Sequence, residues 1–484
     1  MSKSIYLIVC VDKKNGIAKN NTIPWKLKSD MEFFKETTTC TSNNTKKNAV
    51  IMGRKTAYTL KGPLSDRLNI VLTRNPEHKS ELETKGFMCY DSIEESIKYC
   101  DTFLDIESIY LIGGLEVYNY GLSNPNKIEN IYMSYINQNY NCDQFFNIDL
   151  LQKYFYIEKL DIKDGFILHI WKRRNNPEEK EYLELLDDVY KTGHKRQTRN
   201  GVTYSKFGKT LEFNLKNSFP LLTTKKMFLR GIFEELKFFL LGQTDNKILK
   251  DKGIHIWDGN TTKEFIDKCN LPYDEDTLGP MYGFQWRHFN AHYIDSKTDY
   301  TNQGVDQLKQ VIELIKTDPF SRRILMTTYN PEQAGQGVLY PCHGISIQFY
   351  VEEDKSKNLY LNCMMHQRSM DSFLGAPFNI ASYALLVYIL CNHINNTGKV
   401  LEKDDINPGR LIMVFGDVHI YQEHIEAIET QINREPYIFP RLNINYNILS
   451  FDKTGCNSIG ELEFSHLKII DYKSYDAIKA KMIA

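Results

Sequence analysis

The sequence predicts two domains, the first an α/β domain with a largely parallel sheet, and three observations carry that prediction. A chain of 484 residues is too long for one hydrophobic core. Up to about Arg174, short β-rich runs alternate with helical stretches. From about Glu181 a new pattern opens on the amphipathic helix EYLELLDDVYKTG, whose final Gly193 reads as a C-cap. Between them, Asn175 to Lys180 (NNPEEK) is polar and carries a proline. The expected division is therefore 1–174, a linker at 175–180, and 181–484.

Taken in order, IYLIVCV reads as a buried strand and not as a signal-peptide core. It is seven residues long and runs into Asp12, Lys13 and Lys14 without a small-residue cleavage site. SDMEFFKET follows as a helix, and Ser29-Asp30-Met31-Glu32 fits a capping box at its start. NAVIMG, LNIVLT, SIYLIGG, IYMSYI and GFILHIWKRR read as strands, with SIEESIKYC helical. In the second domain the pattern predicts a helix over Met227–Leu241 and an alternating strand over Ile345–Val351. The longest further apolar run, Tyr383 to Cys391, falls short of the roughly 20 residues a membrane span needs. A soluble protein with no membrane partner is expected.

Composition narrows the function classes. Lys plus Arg (60) balances Asp plus Glu (61), so no global field draws the chain to nucleic acid, and any anion site must be local. The ten cysteines form no CxxC pair. The one CxxH, Cys363 to His366, lies in an alternating run without partner ligands at zinc spacing. Reduced thiols, a cytoplasmic setting and no metal are the expectation.

In the first domain, Asp30 and Phe34 share a helix face. An acid in the first turn serves the helix dipole, or it faces a pocket where it can hydrogen-bond a heterocyclic amidine. Gly113-Gly114, between a strand and a helix, would let backbone N–H groups meet a pyrophosphate. Five segments in order then resemble dihydrofolate reductase: IPW at Ile23–Trp25, Asp30 with Phe33-Phe34, VIMGRKT at Val50–Thr56, GPLSDR at Gly62–Arg67, and YLIGGLEVY at Tyr110–Tyr118. The resemblance implies that Asp30 holds the pterin, that Phe34 packs beside it, and that Arg67 pairs with the folate α-carboxylate. It places Ile8, Trp25, Leu64 and Ser134 on the folate side, Ser134 standing where the family usually has Thr. It assigns Arg54, Lys55, Thr56, Thr73, Arg74, Gly113 and Gly114 to NADPH.

In the second domain, Cys342 sits in YPCHGISIQFYV just ahead of a strand. Such a thiol is either an inert buried group or a nucleophile, and the nucleophile needs cations nearby. Arg322-Arg323 and Arg368 are the candidates. On the helix Met227–Leu241, Phe228, Ile232, Glu235 and Phe239 fall on one stripe, with Arg230, Glu234 and Lys237 on the polar side. Glu235 thus occupies an apolar position and must be paired, protonated or functional.

Six motifs in order resemble thymidylate synthase over Glu181–Ala484: FPLLTTKK, LGPMYGFQWR, DPFSRRI, YPCH, HQRSMDSFLGAPFNIASYALL and GDVHIY. The resemblance implies an α+β second domain and a homodimer formed through it. It makes Cys342 the nucleophile toward C6 of dUMP, Glu235 the organiser of the proton network, and Tyr282 and His343 its neighbours. The dUMP phosphate would meet Arg199, Arg368, Ser369 and, from the partner subunit, Arg322 and Arg323. Asn379 would read the uracil edge, Asp371 would contact the ring through its backbone, and His419 with Tyr421 would hold the 3′-hydroxyl. Trp257, Asn260 and the last residues up to Ala484 would close over the cosubstrate 5,10-methylenetetrahydrofolate. A dCMP hydroxymethylase would carry Asp in place of Asn379, and a catalytically dead binding module would have lost Cys342, Asp30 or a phosphate arginine. Together the resemblances imply one chain that makes dTMP and reduces the dihydrofolate this releases.

Overall fold

The computed structural model describes residues 3–484 apart from 403, 454, 482 and 484. The backbone divides into two compact units, Met1–Asn175 and Asn176–Ala484. In the first, the described residues form an eight-stranded sheet. Named by first residue, its strands run Met88, Arg67, Lys47, Ile106, Ser4, Ile128, Phe166, Phe155. Pairings from Met88–Tyr90 across to Ile128–Tyr135 are parallel, and those of Phe166–Arg173 are antiparallel. Parallel neighbours need crossover helices, which bury both sheet faces. Leu7, Val50, Ile51, Met52 and Leu111 are accordingly fully buried.

Two local expectations are corrected here. The first helix spans Lys28–Thr39 with Leu27 at its N-cap and no side-chain cap, so the capping box is not made. Ser29 instead donates to the Asp164 carbonyl at 2.5 Å. The polar stretch 175–180 becomes, from Pro177 onward, the first turn of the helix Pro177–Thr192. The Asn176 side chain accepts from the Glu179 N–H, Pro177 occupies a position whose N–H has no helical partner, and Glu178 and Glu179 complement the dipole. Gly193 ends this helix in extended backbone; a Cβ there would lie 2.3 Å from the Val189 carbonyl oxygen.

The second unit is α+β. Its six-stranded sheet runs His194, Gly201, Ile406, Leu359, Ser346, Leu325 by first residue. Every pair is antiparallel except Leu359–Asp371 beside Ile406–Tyr421. Helices Pro177–Thr192 and Gly375–Asn396 pack on the sheet, and Leu229–Leu240 packs against Gly375–Asn396. Gly375–Asn396 is long and apolar enough to cross a membrane by length and composition, yet 78% of that window is buried inside the fold. It is the spine of the core. The strand residues that point away from it leave Leu325, Tyr350 and Met364 exposed.

Helix Leu229–Leu240 is buried around almost its whole circumference. Of the side expected to be polar, only Arg230 is exposed. Glu234 accepts from Lys252 at 2.6 Å, and Lys237 donates to the Leu462 carbonyl at 2.7 Å. Each buried charge has a partner, which is what lets it sit in a core.

Candidate active sites

In the first unit, parallel register sets the acid's surroundings. Cys10 pairs with Ser134 on the neighbouring strand, so hydroxyl and thiol project side by side toward Asp30. Burial pushes the Asp30 carboxyl up, and hydrogen bonds from Ser134 and Cys10 oppose the shift. Ile8, Phe34 and Leu64 pack against one apolar cluster. Trp25 lies in the adjoining one, with Phe33 and Cys10 against it. The Arg67 guanidinium sits 5.9 Å from the centre of the Phe34 ring and donates to Thr38 Oγ1 at 2.7 Å. The expected folate residues of this domain thus share one region of the unit.

Arg54, Lys55, Thr56, Thr73, Arg74, Gly113 and Gly114 all line one cavity of about 980 Å³. Of the two glycines in its lining, Gly113 is required by its backbone and its close neighbour. Gly113 has φ +116°, and a Cβ on it would press to 3.0 Å from the Tyr118 hydroxyl. A Cβ on Gly114 would make only an ordinary contact with Thr56 Oγ1, at 3.4 Å. Bare backbone there, at the N-terminus of helix Leu115–Ser123, suits the close approach of an anionic group. The volume and the basic rim fit a dinucleotide phosphate.

In the second unit, Cys342 Sγ lies 3.1 Å from the Tyr282 hydroxyl, and Tyr282 stacks on His343 with ring centres 4.2 Å apart. Tyr282 holds φ +39°, an uncommon backbone state for a bulky side chain. Burial pushes the thiol up, while the Tyr282 hydroxyl and the Arg368 charge pull it down. Glu235 accepts from the Trp257 indole N–H at 2.9 Å, and burial lifts its carboxyl to about 7. His343 is pushed down to about 3 by burial and is neutral at neutral pH. Its Nδ1 lies 3.0 Å from the Tyr383 hydroxyl. Asn260 is buried, and its Nδ2 has no hydrogen-bond partner among the described residues.

The parallel pairs Ser369 to Asp417 and Asp371 to His419 bring two expected nucleotide-binding stretches together. The Arg368 N–H donates to the Cys342 carbonyl at 2.8 Å, and the exposed guanidinium lies over the Tyr340 ring. His419 Nδ1 meets Asp417 Oδ1 at 3.0 Å, and its ring meets Tyr421 edge-on. Arg199 is exposed at the tip of a hairpin whose next residue, Asn200, hydrogen-bonds to Tyr421. Arg322 and Arg323 are also exposed, just ahead of the edge strand Leu325–Met326. Ala484 lies outside the described residues.

Three residues that sequence reasoning missed touch the expected ones, two in the second unit and one in the first. Gln367 donates from Nε2 to the Ser369 carbonyl at 3.1 Å, which turns its Oε1 toward Asn379. Asn379 Nδ2 then donates to that oxygen at 3.1 Å, so the Asn379 amide has one set orientation. Tyr383, one helical turn beyond Asn379, holds His343, and Cys10 touches Asp30. A glutamine in an alternating strand two residues before Ser369 is the only sequence signal for this lock, and it is weak.

Comparison with known proteins decides the family. Residues 4–164 match the family model of dihydrofolate reductase and residues 180–484 that of thymidylate synthase. A bifunctional dihydrofolate reductase-thymidylate synthase of Paramecium tetraurelia is 39% identical, with 99% of each chain covered. Those of Zea mays and Leishmania major are 36% and 37% identical, covering 99% of this chain and 97% and 95% of theirs. The chain belongs to the bifunctional dihydrofolate reductase-thymidylate synthase family. It is a bifunctional enzyme that pairs an oxidoreductase domain with a methyltransferase domain.

Proposed function

We propose that the second domain converts dUMP to dTMP with 5,10-methylenetetrahydrofolate, and that the first returns the resulting dihydrofolate to tetrahydrofolate with NADPH. The observation that carries the reading is the grouping of the partly buried Cys342 with the buried Tyr282, Trp257 and Glu235, while the Arg368 N–H bonds to the Cys342 carbonyl and Asn379 bonds to the neighbouring Gln367. Cys342 as thiolate forms a bond to C6 of uracil, and C5 gains the electron pair that attacks the methylene carbon. C5 then loses its proton as the bond from the methylene carbon to the folate nitrogen breaks, which leaves an exocyclic methylene on C5. The freed tetrahydrofolate gives that carbon a hydride, the C6–sulfur bond breaks to restore the C5–C6 double bond, and tetrahydrofolate departs as dihydrofolate. Glu235, with a carboxyl near neutrality, relays protons in this sequence. Arg199, Arg368 and Ser369 hold the phosphate, Asn379 reads the base, Asp371 contacts the ring through its backbone, and His419 and Tyr421 hold the 3′-hydroxyl. Trp257 and Asn260 bound the folate side, and the spare Asn260 Nδ2 offers it a donor.

In the first domain Asp30 promotes protonation of the pterin near N5, directly or through water. Arg67 takes the folate α-carboxylate, with Ile8, Trp25, Phe34, Leu64 and Ser134 around the ring. NADPH, when bound, supplies a hydride. Arg54, Lys55, Thr56, Thr73, Arg74, Gly113 and Gly114 would hold it, as the cavity volume and its basic rim support.

A homodimer follows from the same reading. Leu325, Tyr350 and Met364 leave apolar surface on the open side of the sheet, and Arg322 and Arg323 stand exposed at its edge. Arg322 and Arg323 of the partner subunit would then reach the phosphate beside Cys342. The ten free cysteines suit a reducing cytoplasm. The test is to give the purified chain dUMP, methylenetetrahydrofolate and NADPH and to follow dTMP formation and NADPH oxidation together. Both should proceed, with oxidation dependent on dUMP. Formation of dTMP without that dependent oxidation would overturn the paired cycle.

A further inference from the structure

His424 stands outside every role assigned above, yet it is fully buried in the second unit. Its Nε2 lies 2.8 Å from the Lys481 carbonyl oxygen. A carbonyl only accepts, so Nε2 carries the proton and donates. Nδ1 is buried with no partner among the described residues. The ring packs against two others, that of Tyr421 with centres 5.6 Å apart and that of Phe373 at 5.5 Å. Both neighbours belong to nucleotide-binding stretches. Tyr421 ends the strand that carries His419, and the Phe373 N–H donates to Asp371 Oδ1 at 3.0 Å.

Lys481 belongs to a segment that has no regular structure of its own; Tyr472, Ile478 and Ala480 pack against the core, and hydrogen bonds fix it at intervals. The Tyr472 hydroxyl donates to the Leu222 carbonyl, and the Tyr475 N–H to the Thr223 carbonyl, each at 2.8 Å. Arg434 donates to the Asp476 carbonyl at 2.9 Å. The next such attachment is His424 to Lys481, and it is made by the one side chain of the set that also touches Tyr421.

We propose that His424 is a positioning residue that ties the segment 472–481 to Tyr421 and Phe373, so that a bound nucleotide steadies the segment that closes over the folate. The inference rests on the reading above, in which Tyr421 contacts dUMP and the last residues lie against the folate. A nucleotide that fixes the Tyr421 ring removes freedom from His424, and the hydrogen bond to Lys481 then costs less ordering entropy.

The test uses the full chain with His424→Phe, which keeps a ring against Tyr421 and loses the donor, and His424→Gln, whose amide nitrogen can donate from nearly the same place. The phenylalanine variant should raise the KM for methylenetetrahydrofolate about tenfold, the weight of one buried hydrogen bond, while the dUMP dissociation constant stays within about twofold. Glutamine should recover most of the loss. Amide hydrogen exchange over 472–481 should slow on adding dUMP to the wild type and not to the phenylalanine variant, and the wild-type arm stands even if that variant does not fold. A wild-type KM in the phenylalanine variant, or no effect of dUMP on exchange in the wild type, overturns the proposal. Tyr421→Phe separates the two readings. If it leaves dUMP affinity unchanged, the nucleotide assignment has failed; if affinity falls and dUMP still leaves exchange untouched, only the role of His424 has.

Discussion

The Trp257 indole donates to Glu235 Oε1 over 2.9 Å, and that one hydrogen bond offsets only part of the cost of burying the carboxyl, which is lifted to about 7. Between the unfolded value near 4.5 and about 7, the folded chain keeps a proton that the unfolded chain has released. Stability therefore declines as pH rises through that window, by about 3 kcal/mol for this group. Glu235→Gln should lack the decline, so its denaturant midpoint should gain on the parent between about pH 5 and about pH 8. Its dTMP synthesis should fall by roughly two orders of magnitude. A constant gap in midpoint at both pH values would show that Glu235 does not titrate there.

Asp30→Asn should lower dihydrofolate reduction by roughly 10²-fold or more, most steeply at neutral and higher pH, where the substrate is rarely protonated without help. Synthesis of dTMP should be untouched. An unchanged pH profile of NADPH oxidation would reduce Asp30 to a helix-start acid.

Asn379→Asp should narrow the preference for dUMP over dCMP by about tenfold or more. Gln367 presents an oxygen to this side chain, so the substituted carboxylate loses a donor toward both Gln367 and the base. Competition assays with the two nucleotides read the ratio directly, and equal rejection of dCMP in variant and parent would remove Asn379 from base reading.

The shared-site dimer is tested by mixing two inactive proteins, Cys342→Ser and the double variant Arg322→Ala with Arg323→Ala, while subunits exchange. Each hybrid has one site with an intact cysteine and intact partner arginines. Random reassortment makes half the dimers hybrids, so about a quarter of synthase sites should recover. Exchange proved by a tag, with no return of dTMP synthesis, would place the arginines in their own subunit.

Features that depend on local pattern were readable before the fold. Glu235 stands out because an acid interrupts an apolar stripe, and the parallel sheet of the first unit shows in its continuous apolar runs. What the pattern could not show depends on contacts distant in sequence. Trp257 meets Glu235 from 22 positions away, Gln367 meets Asn379 from 12, and Cys10 meets Ser134 only through strand register. The edge strand Phe155–Lys163 escaped for the opposite reason. It has one neighbour and is exposed along most of its length, so nothing imposes an alternating pattern. The capping box at Ser29 failed because a loop carbonyl across the unit competes for the same hydroxyl.

Asn379 sits within the first turns of Gly375–Asn396, the helix around which the second unit is packed. The side chain proposed to read the pyrimidine is thus anchored in the core helix of the second unit. A surface loop can drift and change what it recognises; this residue cannot move without carrying Ala376, Ile380 and Tyr383, all buried, along with it. An inhibitor that relies on Asn379 accordingly engages a position where escape by small backbone shifts would unsettle folding itself.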